Sequence, residues 1–203
     1  MQTANNFIVL NIREYLDSTD KRLGEEKLTE LLSGFFCPLN PDVERFLKHQ
    51  AIEFTKKHQA VTYLVLSPED AELLGYFSIT IKPLGVKARP FSNTVKRKLS
   101  RFSGMDKNEQ AYHIAAYLIA QLGKNFNEKA RGRMTGQELL ETAIRQIQIL
   151  QYQAGGMVVF VEADKKEKLL SFYENYGFKR FDTRQMASND KESHELVQLL
   201  RLL

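Results

Sequence analysis

Two stretches of the 203-residue chain set polar residues in patterns that could do chemistry. The first is residues 124–133, a basic run without apolar periodicity, followed by Thr135-Gly136-Gln137-Glu138. That tetrad has capping-box spacing, in which Thr135 accepts from the backbone NH of Glu138 while the Glu138 carboxylate reaches back. A basic, glycine-containing loop entering a helix presents backbone NH groups at the positive end of the helix dipole, a setting that favours an anion such as a phosphate. Taken alone, the pattern is equally that of an ordinary surface loop. The second stretch, residues 82–107, carries Lys82, Lys87, Arg89, Lys96, Arg97, Lys98, Arg101 and Lys107 against one acid, Asp106. Its charge is therefore +7 where the whole chain has +4, so the rest is net acidic by three and the basicity is local. Phe91, Val95, Leu99 and Phe102 are spaced to pack a helix onto the body, leaving Lys96, Arg97, Lys98 and Arg101 to project outward or along its flanks. Such a face could grip nucleic-acid phosphates or could simply be solvated.

Other chemistries find little support. Cys37 is the only cysteine, so no internal disulfide forms, and the thiol count suits a reducing cytoplasmic compartment. Nothing near Cys37 marks a basic partner, which makes it a small buried or half-buried thiol rather than a nucleophile. His49, His58, His113 and His194 are scattered, with no metal-ligand spacing. No apolar run approaches the ~18 residues of a membrane span. Residues 7–12 are too short for a signal-peptide core and lack a basic leader, so secretion is not expected. A hydrophobic fraction of 43% without a linker fits a single domain over residues 1–203.

The elements that must position these residues follow from periodicity. Residues 112–122 (YHIAAYLIAQL) read as a strand buried on both faces, although periodicity alone leaves a buried helix open. After the polar loop, Leu139, Leu140, Ala143, Ile144, Ile147 and Leu150 form one helical face, which Gly155-Gly156 ends. Upstream, the pattern predicts a strand over 7–12, a helix over 25–32, and a helix opened by Pro41 with Val43, Phe46, Leu47, Ala51 and Phe54 inward. A hairpin of 61–66 with 74–81 comes next, and 82–107 reads as an insertion after it. Downstream, the pattern predicts a strand over 157–161, a helix over 165–176 closed by Gly177, and strands over 178–181 and 194–203, with a polar loop at 185–193.

Here the residues carry a family resemblance. Arg131-Gly132-Arg133-Met134-Thr135-Gly136 before Leu139-Leu140 resembles the acetyl-CoA loop of the GNAT N-acetyltransferases, Gln/Arg-x-x-Gly-x-Gly/Ala, with Met134 where glycine is usual. Phe172-Tyr173-Glu174-Asn175-Tyr176-Gly177-Phe178 is similar to the family's FYEKxGF box. Residues 34–51, with Cys37, Leu39-Asn40 and Phe46-Leu47 ahead of the strand 61–66, resemble the branch of aminoacyl-tRNA-acetylating toxins from toxin–antitoxin modules. The resemblance implies an α+β (mixed α/β) fold with a central, mostly antiparallel sheet flanked by helices.

It also implies roles. Acetyl-CoA would sit on Arg131, Gly132, Arg133, Met134, Thr135, Gly136 and Gln137, with a backbone NH near Leu122 or Gly123 polarising the thioester carbonyl. Tyr173 would be the proton donor to the leaving thiolate. The family's asparagine seven residues before that tyrosine is Lys166 here. No general base stands out; Glu162, taken as lying at a strand end, is the best-placed carboxylate. An α-amine, with a pKa of roughly 7.7–8.0, needs less help than a lysine near ~10.4, which favours an α-amine acceptor. The implied acceptor is aminoacyl-tRNA gripped through 82–107 by Lys96, Lys98 and Arg101, with an antitoxin as partner and a homodimer left open. A small amine, a protein N-terminus, or a catalytically degenerate binding module remain as alternatives.

Overall fold

The computed structural model describes residues 7–20, 23–89, 91–101, 103–186 and 194–203. In chain order the elements are β1 (Ile8–Asn11), α1 (Ile12–Leu16), α2 (Glu25–Ser33), α3 (Pro41–His49), α4 (Ala51–Lys56), β2 (Val61–Leu66), β3 (Leu73–Lys87) and α5 (Asn93–Leu99). They continue with β4 (Met105–Asp106), β5 (Ala111–Lys124), α6 (Gly136–Ala154), β6 (Val158–Asp164), α7 (Glu167–Asn175), β7 (Lys179–Met186) and β8 (His194–Leu202). The strands form a mixed sheet in the order β1-β2-β3-β5-β6-β8-β7, with β4 on β5. β5 and β6 are parallel, and β1–β2, β2–β3, β4–β5, β6–β8 and β7–β8 are antiparallel. The expected α+β class with a mostly antiparallel sheet is the one observed. Among the described residues no helix is long and apolar enough to cross a membrane.

The chain divides into two compact units, Met1–Thr80 with Ile119–Ile149, and Ile81–Leu118 with Leu150–Leu203. In the first unit, Ile12, Leu28, Leu32, Phe35, Leu47, Leu64 and Tyr76 are buried together. Phe35 meets Tyr76 edge-on at 5.2 Å, and Phe46 stacks over it at 6.5 Å. Asn40 caps α3, its Oδ1 accepting from Asp42 N (3.1 Å) and Val43 N (3.3 Å), and Pro41 fills the first helical position, where a missing NH costs nothing. The single helix expected across 41–54 is instead two, α3 and α4, broken at Gln50. Ile12, expected as the end of a strand, starts α1 because Asn11 accepts from Arg13 N as an N-cap.

In the second unit, Val86, Leu99, Val159, Leu170 and Leu199 are fully buried. β6 and β8 pair over seven positions from Val158↔Leu202 to Asp164↔Leu196, and β7–β8 shifts register between Arg180 and Asp182. The stretch read as an insertion opens differently from expectation, since β3 runs on to Lys87 and only then gives way to α5 and β4. The alternation explains it: Leu84, Val86 and Ala88 are buried while Pro83, Gly85 and Lys87 are exposed, a period-2 pattern. Likewise β7 takes in Gln185 and Met186, which were expected to be loop; residues 187–193 lie outside the described residues.

Candidate functional site

In the first unit, β5 leads directly into the loop. Gly123 is buried there because no side chain fits: an added Cβ would overlap Val43 Cγ1 and come within 2.9 Å of Tyr76 Cε1 and 3.2 Å of Phe35 Cζ. Tyr76 cannot yield, since its hydroxyl donates to Val43 O at 2.6 Å and its ring is wholly buried. Gly123→Ala is therefore expected to destabilise the fold by about 1–3 kcal/mol. That corresponds to a fall in Tm of roughly 2–4 °C per kcal/mol for a chain of this size. Thermal unfolding of the variant checks this, and an unchanged midpoint would contradict it.

Beyond Gly123, side-chain ties shape the loop at three points. Asn127 Oδ1 accepts from Ala130 N (2.8 Å) and its carbonyl from Arg131 N (2.9 Å), capping a short turn. Gly132 then takes the left-handed region at φ +80°, where a side chain would be strained. Met134 has no positive φ, so this position does not need the family's glycine; its side chain is buried and its carbonyl accepts from Lys124 Nζ at 2.9 Å. The capping box is complete. Glu138 N donates to Thr135 Oγ1 (3.1 Å), while Thr135 N (2.7 Å) and Oγ1 (2.8 Å) donate to Glu138 Oε2. The Glu138 carboxylate is thus turned back on the cap.

This arrangement leaves donors over. Among the described residues, the backbone NH groups of Gly132, Met134, Gly136 and Gln137 have no acceptor. Gly136 and Gln137 open α6, where intrahelical acceptors are absent by geometry. A glycine turn followed by a helix start with four open NH groups fits a pyrophosphate. Arg131 is exposed without an ion pair among the described residues, so its charge is available. Arg133, expected to add charge for the phosphate, is not. Its guanidinium forks onto Asp70 (2.9 Å to each carboxylate oxygen) and also donates to Ser67 Oγ at 2.7 Å.

In the second unit, Tyr173 lies on α7, 7% exposed, with its ring edge-on to Phe172 (5.2 Å) and Phe178 (5.5 Å). Its hydroxyl has no hydrogen-bond partner among the described residues. Burial pushes its pKa up to about 12. The phenol therefore stays protonated across the physiological range, but it is a weaker acid than its ~10 reference would make it. Lys166 stands at the N-cap of α7 without capping it, its ammonium paired with Asp164 at 3.0 Å. Glu162 is not at a strand end as expected. It lies within β6 opposite Gln198, and its carboxylate accepts from Gln198 Nε2 (2.8 Å) and Arg184 NH1 (3.1 and 3.3 Å). A carboxylate so engaged is poorly disposed to take a proton from an incoming amine. Cys37, in the first unit, is buried as expected, and its thiol pKa is raised by desolvation.

The basic helix is α5, capped by Ser92 Oγ accepting from Val95 N at 3.5 Å and anchored by Leu99. Lys98 and Arg101 are exposed and Lys96 is half-buried; none of the three, nor Arg97, forms an ion pair among the described residues. Phe102, expected as its fourth anchor, lies outside the described residues. Sequence reasoning missed the ties made by Asp70 and Asn127, whose only sequence signal is that asparagine and aspartate are turn formers.

This order of strands and helices is a GNAT-like fold, shared with solved structures of bacterial toxins. Among solved structures it resembles AtaT complexed with acetyl-methionyl-tRNAfMet, with a TM-score of 0.60, 15% identity, and coverage of 95% of this chain and 94% of that one. A tyrosine-to-phenylalanine mutant of the AtaT toxin, bound to the C-terminus of the antitoxin AtaR and acetyl-CoA, matches with a TM-score of 0.56 and 15% identity, covering 97% and 93% of the two chains. A tyrosine-to-phenylalanine mutant of KacT matches with a TM-score of 0.62 and 18% identity, covering 95% and 94%. No family model and no curated protein matches the sequence.

Proposed function

We propose that this chain is an acetyl-CoA-dependent N-acetyltransferase whose acceptor is the α-amine of an aminoacyl-tRNA, with toxin activity held in check by an antitoxin. The observation that carries the reading is the loop after β5. Four unengaged backbone NH groups sit at Gly132, Met134, Gly136 and Gln137, on a fold shared with an AtaT structure that holds acetyl-CoA. Acetyl-CoA supplies a thioester, and transfer forms an N–C bond, breaks the C–S bond and moves one proton from nitrogen to sulfur.

In this reading the chain's own residues divide that work. The loop NH groups and Arg131 hold the diphosphate. The backbone near Leu122 and Gly123 offers an NH to the developing oxyanion, where fixed donors count most. Tyr173 offers its proton to the departing sulfur. With Glu162 engaged by Arg184 and Gln198, no strong base is assigned, which suits an α-amine that is already about half neutral or more near pH 8. The unpaired cations of α5 support a polyanionic acceptor over a small amine.

Calorimetry with acetyl-CoA tests the cofactor assignment. Wild-type protein is expected to bind, and Gly136→Val to bind at least tenfold more weakly, because a branched side chain beside the first helical NH keeps phosphate away. Undiminished binding by the folded variant would remove the loop from the site. The acceptor is tested with labelled acetyl-CoA offered charged tRNA and a panel of amines. Label in a small amine and none in tRNA would overturn the tRNA assignment alone.

A further inference from the structure

The Arg133 fork joins the loop to a distant turn, and its geometry assigns Arg133 a different task from neighbouring Arg131. Asp70 lies in the connection between β2 and β3, with Oδ1 also accepting from Glu72 N at 3.2 Å. Ser67 Oγ, which takes an Arg133 hydrogen bond, belongs to the same connection and is buried. Arg133 NH1 donates to Lys129 O as well, at 3.2 Å, so one guanidinium ties the two halves of its own loop to the β2–β3 turn. Glu69 adds a carboxylate at 3.5 Å. The Arg133 guanidinium, hydrogen-bonded above all and then assisted by the Glu72 NH, holds the Asp70 carboxyl well below the usual carboxylate range, so the fork is charged on both sides at neutral pH. Arg133 is only 28% exposed at its side chain, against 54% for Asp70.

Asn127 fastens the same loop from its other end. Besides capping the turn, its Nδ2 donates to Gly34 O (3.0 Å) and to Glu72 Oε1 (3.1 Å), and its NH donates to Asn125 Oδ1 (3.1 Å). Glu72 and Asp70 thus receive the two ends of the loop within three residues of one turn. The open NH groups at Gly132 and Met134 flank the residue that the fork immobilises.

We infer that the β2–β3 turn, through Asp70, is a positioning element for the cofactor loop. Arg133 acts by holding Gly132 and Met134 in their anion-receiving shape, not by contacting phosphate. The inference rests on the acetyl-CoA reading above. Preorganised donors bind tighter because less order has to be imposed on binding, so releasing the fork is expected to weaken acetyl-CoA binding by about fivefold to tenfold.

The test is a double-mutant cycle of Asp70→Asn and Arg133→Gln, read as Kd for acetyl-CoA by calorimetry. Both single variants are expected to weaken binding to a similar degree, and the double variant to be no worse than either. Asp70→Asn should also raise KM for acetyl-CoA while leaving kcat at saturation within about twofold, since Asp70 acts only through the loop. If Arg133 contacts phosphate itself, Arg133→Gln alone weakens binding and Asp70→Asn, by freeing the guanidinium, leaves it unchanged or tighter. That outcome overturns the inference, as does binding unchanged in both variants. Wild-type protein that binds no acetyl-CoA overturns the underlying function as well, so the two failures are distinct.

Discussion

Tyr173→Phe is expected to lower turnover by about 10²–10⁴-fold, the usual contribution of a general acid. The side chain loses one oxygen, and the ring contacts with Phe172 and Phe178 that hold α7 in place remain. Because the hydroxyl makes no hydrogen bond within the described residues, its removal strands no partner and should cost little stability. Affinity for acetyl-CoA should stay nearly constant, so the loss appears in kcat. The pH profile adds an independent check. The donor must be the neutral phenol, and burial raises its pKa to about 12, so deprotonation is postponed to strongly alkaline solution. Wild-type activity should therefore rise as the acceptor amine loses its proton near pH 8 and show no alkaline decline at the tyrosine reference value of ~10. Steady-state rates of both proteins between pH 6 and the limit of folding decide the matter. Turnover within a few-fold of wild type in Tyr173→Phe would return this residue to a purely packing role.

Replacing Lys96, Lys98 and Arg101 together by glutamine is expected to abolish most acetylation of aminoacyl-tRNA at moderate salt. Each lost phosphate contact releases fewer counterions, and three should reduce the salt slope of RNA binding by roughly two to three units. Glutamine is about as good a helix former as lysine or arginine, and the anchor Leu99 is untouched, so α5 should persist. Acetyl-CoA affinity and slow acetyl-CoA hydrolysis should be unaffected, since neither involves the acceptor. Filter binding across a salt series, run beside the acetylation assay, measures both effects. A triple variant as active on tRNA as wild type, with the same slope, would make α5 a solvated face and nothing more.

Sequence and tertiary structure contributed different parts of this picture, and the division follows the range of the interactions. The strand–loop–helix order around residues 112–153, the capping box at Thr135 and Glu138, and the apolar face of α6 depend on residues three or four apart. They were legible in the chain and are present as expected. Boundaries set by local competition were less legible: Asn11 caps α1 and so cuts short a strand, and a period-2 alternation carries β3 on through Lys82 and Pro83 to Lys87. What only the fold decided is the electrostatic state of the candidate residues. Arg131 and Arg133 look alike in sequence, yet Arg133 is claimed by Asp70, 63 residues away, while Arg131 is not. Glu162 looked like a carboxylate at a strand end, but the pairing of β6 with β8 brings Gln198, 36 residues on, against it. Tyr173 was legible as a tyrosine in a recognisable box, but its raised pKa comes from burial. Helix caps and periodic faces are written in neighbouring residues. A charge's partners and a phenol's desolvation exist only once distant segments have packed.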